Sequence, residues 1–100
     1  MKQVVFDQPT LNLKVSTHRV YEHTVTGLNL SSNIIKVLYM SPSCSCLTYE
    51  PLDIVDANKE FSFKIYINKV GLTGRFSVSL TINFDNGQKE VIRISGEILQ

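Results

Sequence analysis

The sequence predicts an all-β chain folded as an immunoglobulin-like antiparallel β-sandwich of about seven strands, and three observations carry that expectation. Apolar and polar residues alternate through several extended segments, giving each one apolar face and one wet face. No stretch of about ten or more residues spaces its apolar positions as a helix does. Turn-forming residues recur every ~8 to 12 residues, the rhythm of two packed sheets.

Leu11, Leu13 and Val15 alternate with Asn12 and Lys14, so the first strand is expected there. It follows Pro9 and carries Lys14, two features of a sheet edge. Residues 19–26 form the second strand, with Tyr21, His23 and Val25 on one side. From Asn33 to Met40 the residues are almost all apolar or β-branched, which suits a central strand covered on both faces. Leu52, Ile54 and Val55 make a short strand that Asp56-Ala57-Asn58 turns.

The clearest alternation comes next. Phe61, Phe63, Ile65 and Ile67 share one face, and Phe76, Val78, Leu80, Ile82 and Phe84 share another, with Gly71 and Gly74 bracketing the connection. Asp85-Asn86-Gly87 tolerates the positive φ of a tight turn, so a hairpin to a last strand over residues 90–98 is expected, with Gly87 at positive φ. The predicted core is Phe61, Phe63, Ile65, Phe76, Val78, Leu80, Ile82, Ile92 and Ile94.

Composition narrows the functional classes. Hydrophobic residues make up 43% and charged residues 19% of the 100 residues, with a formal charge of +1, as in a globular chain with one core over residues 1–100. Lysine and arginine are dispersed, which argues against nucleic acid as a partner. No apolar run reaches the ~20 residues of a membrane span, so no membrane insertion of this segment is expected, and Met1-Lys2-Gln3 does not open onto the apolar core of a signal peptide. No repeat, linker or low-complexity tract suggests a boundary.

The order of motifs resembles a bacterial family of immunoglobulin-like domains, domain-of-unknown-function family 1573. Asn29 and the run Ile35 to Met40 match its opening, and Ser43-Cys44-Ser45-Cys46 matches its cysteine motif with Ser45 where glycine is usual. Gly74-Arg75-Phe76, Thr81-Ile82-Asn83 and Ile94-Ser95-Gly96-Glu97-Ile98 follow in sequence. Leu30-Ser31, Leu47 and Asp56-Ala57-Asn58 depart from it, mostly at turns. The resemblance implies an immunoglobulin-like sandwich in an exported, periplasmic or envelope protein, with no established activity.

The segment from Ser41 to Pro51 holds both cysteines and two of the three prolines, and is the one stretch with chemistry to weigh. In an extended chain Cys44 and Cys46 point the same way with Cβ atoms ~6 to 7 Å apart, beyond the ~3.8 Å of a disulfide, so an unbridged pair at a sandwich end near the surface is expected. A direct bridge would need a bent backbone. Two thiolates on one face could supply part of a zinc or copper(I) site, but His18, His23 and Met40 follow no metal spacing. Inert, packed cysteines are the preferred reading, a redox pair the next, and no cofactor is expected.

Nothing else converges on catalysis. No serine sits in a glycine-flanked elbow, no paired carboxylates are placed for one cleft, and Gly71-Leu72-Thr73-Gly74 joins strands instead of opening a helix. The expectation is a non-enzymatic structural or interaction module that meets a protein partner or neighbouring domain. Its rival is a thiol-based redox or metal-binding activity at Cys44 and Cys46.

Overall fold

A computed structural model describes the backbone of residues 3–16, 20–68 and 74–99, and their side chains except at 13–16, 98 and 99. Among the described residues nine strands follow one another: β1 (Val4–Phe6), β2 (Thr10–Ser16), β3 (Tyr21–Asn29), β4 (Ile35–Pro42), β5 (Leu47–Tyr49), β6 (Ile54–Val55), β7 (Glu60–Ile67), β8 (Arg75–Phe84) and β9 (Lys89–Leu99). They form a four-stranded sheet ordered β1-β3-β7-β5 and a five-stranded sheet ordered β2-β9-β8-β4-β6. The described residues contain no helix. Seven strands match the expected segments. The two additions, β1 and β5, have three residues each, too few to show a period in sequence.

Between the sheets lies a shared core. Phe63, Ile65 and Ile67 of β7 face Phe76, Val78, Leu80, Ile82 and Phe84 of β8 and Ile92 and Ile94 of β9, all buried. Of the predicted core only Phe61 is half-buried; its ring meets Phe6 edge-on at 5.6 Å, over the end of the sandwich core. Phe61 lies opposite Gly27, where an added Cβ would come within 2.5 Å of Phe61 Cζ, so the glycine makes room for the ring.

The hairpin forms as expected. Asp85-Asn86-Gly87 joins β8 to β9, Gly87 has φ 87°, and Phe84 N–H donates to Gln88 O at 2.9 Å across the turn. Gln88 then ties this hairpin to the other sheet: its Oε1 accepts from Val4 N–H at 3.1 Å and its Nε2 donates to Val4 O at 2.7 Å.

One strand departs from expectation. Residues 34–40 are not covered on both faces: Ile34, Leu38 and Tyr39 are 59–61% exposed, while Ile35 is buried. The reason is topological. With two sheets only, β4 turns one face to the core and the other outward. It pairs with β8 from Val37 to Pro42, while on its other side β6 meets Ile35 and Lys36 and Asp53 O accepts from Val37 N–H, so from Leu38 onward β4 is also an edge among the described strands. A bulge between Val37 and Tyr39 shifts the register there. Pro42 fits this edge, because Ser41 and Ser43 flank it and Ser43 N–H bonds to Ser79 O, leaving the proline nitrogen on the unpaired side.

Candidate functional site

Cys44 and Cys46 lie where the chain leaves β4 of the five-stranded sheet and enters β5 of the four-stranded one. Three sets of hydrogen bonds hold this crossing. Ser43 exchanges bonds with Ser79, N–H to O at 2.8 Å and Oγ from N–H at 2.8 Å. Leu47 N–H donates to Cys44 O at 3.1 Å, closing a turn, and Asn68 N–H donates to Cys46 O at 2.7 Å.

The turn overturns the expectation of unbridged thiols: Cys44 and Cys46 form a disulfide, with Cα atoms 5.1 Å apart. The expectation assumed an extended segment. Residues 43–46 instead bend, which brings the Cα atoms inside the 4.4–6.8 Å range a disulfide requires. Closing a loop this short removes only roughly 1–2 kcal/mol of unfolded-state entropy, so the bridge shapes a local turn more than it staples the fold. Cys46 is 9% exposed and joins the core, while Cys44 is half-buried and packs against it, so only the latter fits the expected place near the surface. Cys46 N–H donates to Cys44 Sγ at 3.0 Å.

The metal candidates do not assemble. Among the described residues no group of three or more His, Cys, Asp or Glu side chains could hold an ion. His18 lies outside the described residues. His23 is half-buried and stacks on Tyr21 with centroids 6.4 Å apart, and Met40 packs against the core.

Two features suited to contact lie elsewhere, on the flank where the chain passes from β1 to β2. β2 is the outermost strand of its sheet, as its Pro9 and Lys14 suggested, and among the described residues it pairs with β9 alone, in parallel, from Thr10↔Arg93 to Ser16↔Leu99. Arg93 N–H bonds to Pro9 O at 2.8 Å. In a parallel ladder this phase turns the backbone of Leu11, Leu13 and Val15 towards β9, and that of Thr10, Asn12, Lys14 and Ser16 outwards. On the other sheet β1 covers only Gly27–Asn29 of β3, and beside the rest of β3 lies a notch of about 320 Å³ lined by Asp7, Gln8 and residues 23–26. The alternation found β2, but the direction of its pairing had no local signal.

In sequence Asn29 stands out only as part of a family motif. In the fold it is fully buried, and its Nδ2 faces Asn33 O, Val55 O and Asp56 O at 2.9–3.2 Å while its Oδ1 accepts from Ser31 N–H and Oγ. It anchors the loops at one end of the sandwich.

Fold and site together define an all-β, two-sheet sandwich with a disulfide-closed turn between its sheets. No family model matches the chain, and no curated protein matches it in sequence. Solved structures do match in fold. A protein of unknown function from Porphyromonas gingivalis is similar with a TM-score of 0.79 and 10% identity over 97% of this chain and 49% of that one. The chaperone YadV gives a TM-score of 0.68 at 11% identity, over 97% of this chain and 51% of that one. WR4, an MSP family member of C. elegans, gives 0.66 at 13% identity over 99% and 100%.

Segments of proteases and glycoside hydrolases match as well, with the chain covering 19–32% of their lengths. WR4 apart, the chain spans from about a fifth to about half of the length of these structures. At such identities the likeness shows the fold alone.

Proposed function

We propose that the chain is a non-enzymatic interaction module that binds a protein partner or a neighbouring domain by adding an extended segment to the open edge of β2. The observation that carries this reading is β2 itself, a strand of seven residues that is paired on one side only among the described residues, with alternate backbone donors and acceptors turned away from its sheet. Neighbours that include a chaperone and an MSP family member support it, since the same sandwich serves in proteins of that kind. The proposal extends to kinship with family 1573 and to an exported protein. A bridged cysteine pair supports an oxidising compartment, where disulfides persist.

A proline in β2 tests the reading. Lys14→Pro removes an outward-facing amide while leaving the pairing to β9 in place, so it should leave the melting temperature within a few degrees and abolish partner capture. Hydrogen exchange at Thr10, Asn12 and Lys14 should be fast in the isolated chain and slow in the complex. Capture that survives the proline, with unchanged exchange along β2, would place binding elsewhere.

A further inference from the structure

Outside that edge, the feature with the most chemistry is the bridged turn, and its two sulfurs are not equivalent. Cys44 is half-buried and Cys46 is 9% exposed, so a nucleophile from solvent reaches the former first. The Cys46 amide already donates to Cys44 Sγ at 3.0 Å, so a thiolate formed at Cys44 finds a hydrogen-bond donor in place without rearrangement. The turn is held from outside the bridge by Ser79, Asn68 and the Leu47 amide, so it keeps its shape when the sulfurs part.

From this asymmetry we infer that Cys44–Cys46 is a thiol–disulfide exchange site in which Cys44 is the sulfur that bonds to the substrate and Cys46 the one that leaves and returns. The substrate class is a dithiol, such as a pair of reduced protein cysteines. One substrate thiolate attacks Cys44 Sγ; the Cys44–Cys46 bond breaks, and Cys46 departs as a thiolate and takes a proton from solvent. The second substrate thiolate then attacks the substrate sulfur of the mixed disulfide, and Cys44 leaves as the thiolate that the Cys46 amide stabilises. Two electrons pass from the substrate, now a disulfide, to the chain, now a dithiol. In the reverse direction a reduced Cys44 attacks a substrate disulfide, and Cys46 closes the bridge again.

Reduction of the native chain by dithiothreitol tests the site. With the fold followed by circular dichroism, the rate should rise linearly with dithiothreitol concentration and the reduced chain should stay folded. A rate that saturates at the rate of global unfolding would mean that the bridge is a closed structural link and would overturn the inference. Order of reaction is the second reading. A brief iodoacetamide pulse on the reduced chain, mapped by fragment-ion mass spectrometry, should label Cys44 at least tenfold more than Cys46, and Cys46→Ser should form a mixed disulfide with glutathione disulfide at least tenfold faster than Cys44→Ser. Equal labelling, or the reverse order, would overturn it as well. The pulse uses the unmodified chain, so the test holds even where a serine variant folds poorly.

Discussion

Asn29 shows how much one buried polar side chain can organise. Its Nδ2 has two hydrogens for three carbonyls, so one is shared, and together they join the end of β3 to the turns on either side of it. Asn29→Ala should cost about 2 to 4 kcal/mol in urea unfolding, because Val55 O and Asp56 O lose the Asn29 donor while Asn33 O keeps Ser31 Oγ. Asn29→Asp should cost at least as much, since a carboxylate offers only acceptors to them.

Glycine makes a second contrast at this scale. Gly87 has φ 87° and open space around it, so Gly87→Val carries a conformational cost of about 1–2 kcal/mol, and Gly87→Asn, which tolerates that conformation, less. At Gly27 the obstacle is crowding by Phe61 and Val5 O, so Gly27→Ala should destabilise by roughly 1–3 kcal/mol and loosen β1. Both orders can be read from urea midpoints.

Strands differ in how plainly they announce themselves. β7, β8 and β9 were legible because one face of each is buried and the other wet, so the period of two survives in sequence. Phe63→Ala or Leu80→Ala should therefore cost about 2 to 5 kcal/mol, and an unchanged melting temperature would mean the faces are inverted. β4 misled for the opposite reason: Leu38 and Tyr39, and Ile34 just before the strand, are apolar yet exposed, and no local pattern tells a covered face from an open one. The cysteine turn misled because its bend depends on bonds to Ser79 and Asn68, contacts that only the tertiary fold supplies.

Charge pairs matter less than these elements. Lys64 of β7 meets Glu22 of β3 at 3.1 Å on an exposed face, and the hydrogen bond with its charge partner raises the lysine above its ordinary value of 10.5. A raised folded value gives stability that is fully present below the unfolded value and is lost as pH climbs through the folded one. Lys64→Ala should hence have a small effect at neutral pH, and any difference from the unmodified chain should fade only in strong alkali; a large loss at pH 7 would show that this exposed pair matters more than its solvation allows.

For the molecule as a whole, the two sheets share one core inside a body of 46 × 20 × 20 Å. That core, and not the bridge, should carry the stability. A chain with both cysteines changed to serine should keep its circular dichroism and lose roughly 1–2 kcal/mol of loop-closure entropy plus about 1–3 kcal/mol for the hydroxyl set into the core at position 46. Loss of the fold would show that the turn between the sheets depends on the sulfurs.

The parallel pairing of β2 with β9 has a mechanical meaning. Tension applied to the two ends of the chain would first strip the three residues of β1, then draw the start of β2 one way and the end of β9 the other. Because these strands run in the same direction, that pull slides them lengthwise past each other, so the rungs from Thr10↔Arg93 to Ser16↔Leu99 bear load together and do not open one at a time. Pulled end to end, the sandwich should resist like a shear clamp. Pulled across the β8–β9 hairpin, whose strands run in opposite directions, it should unzip at much lower force.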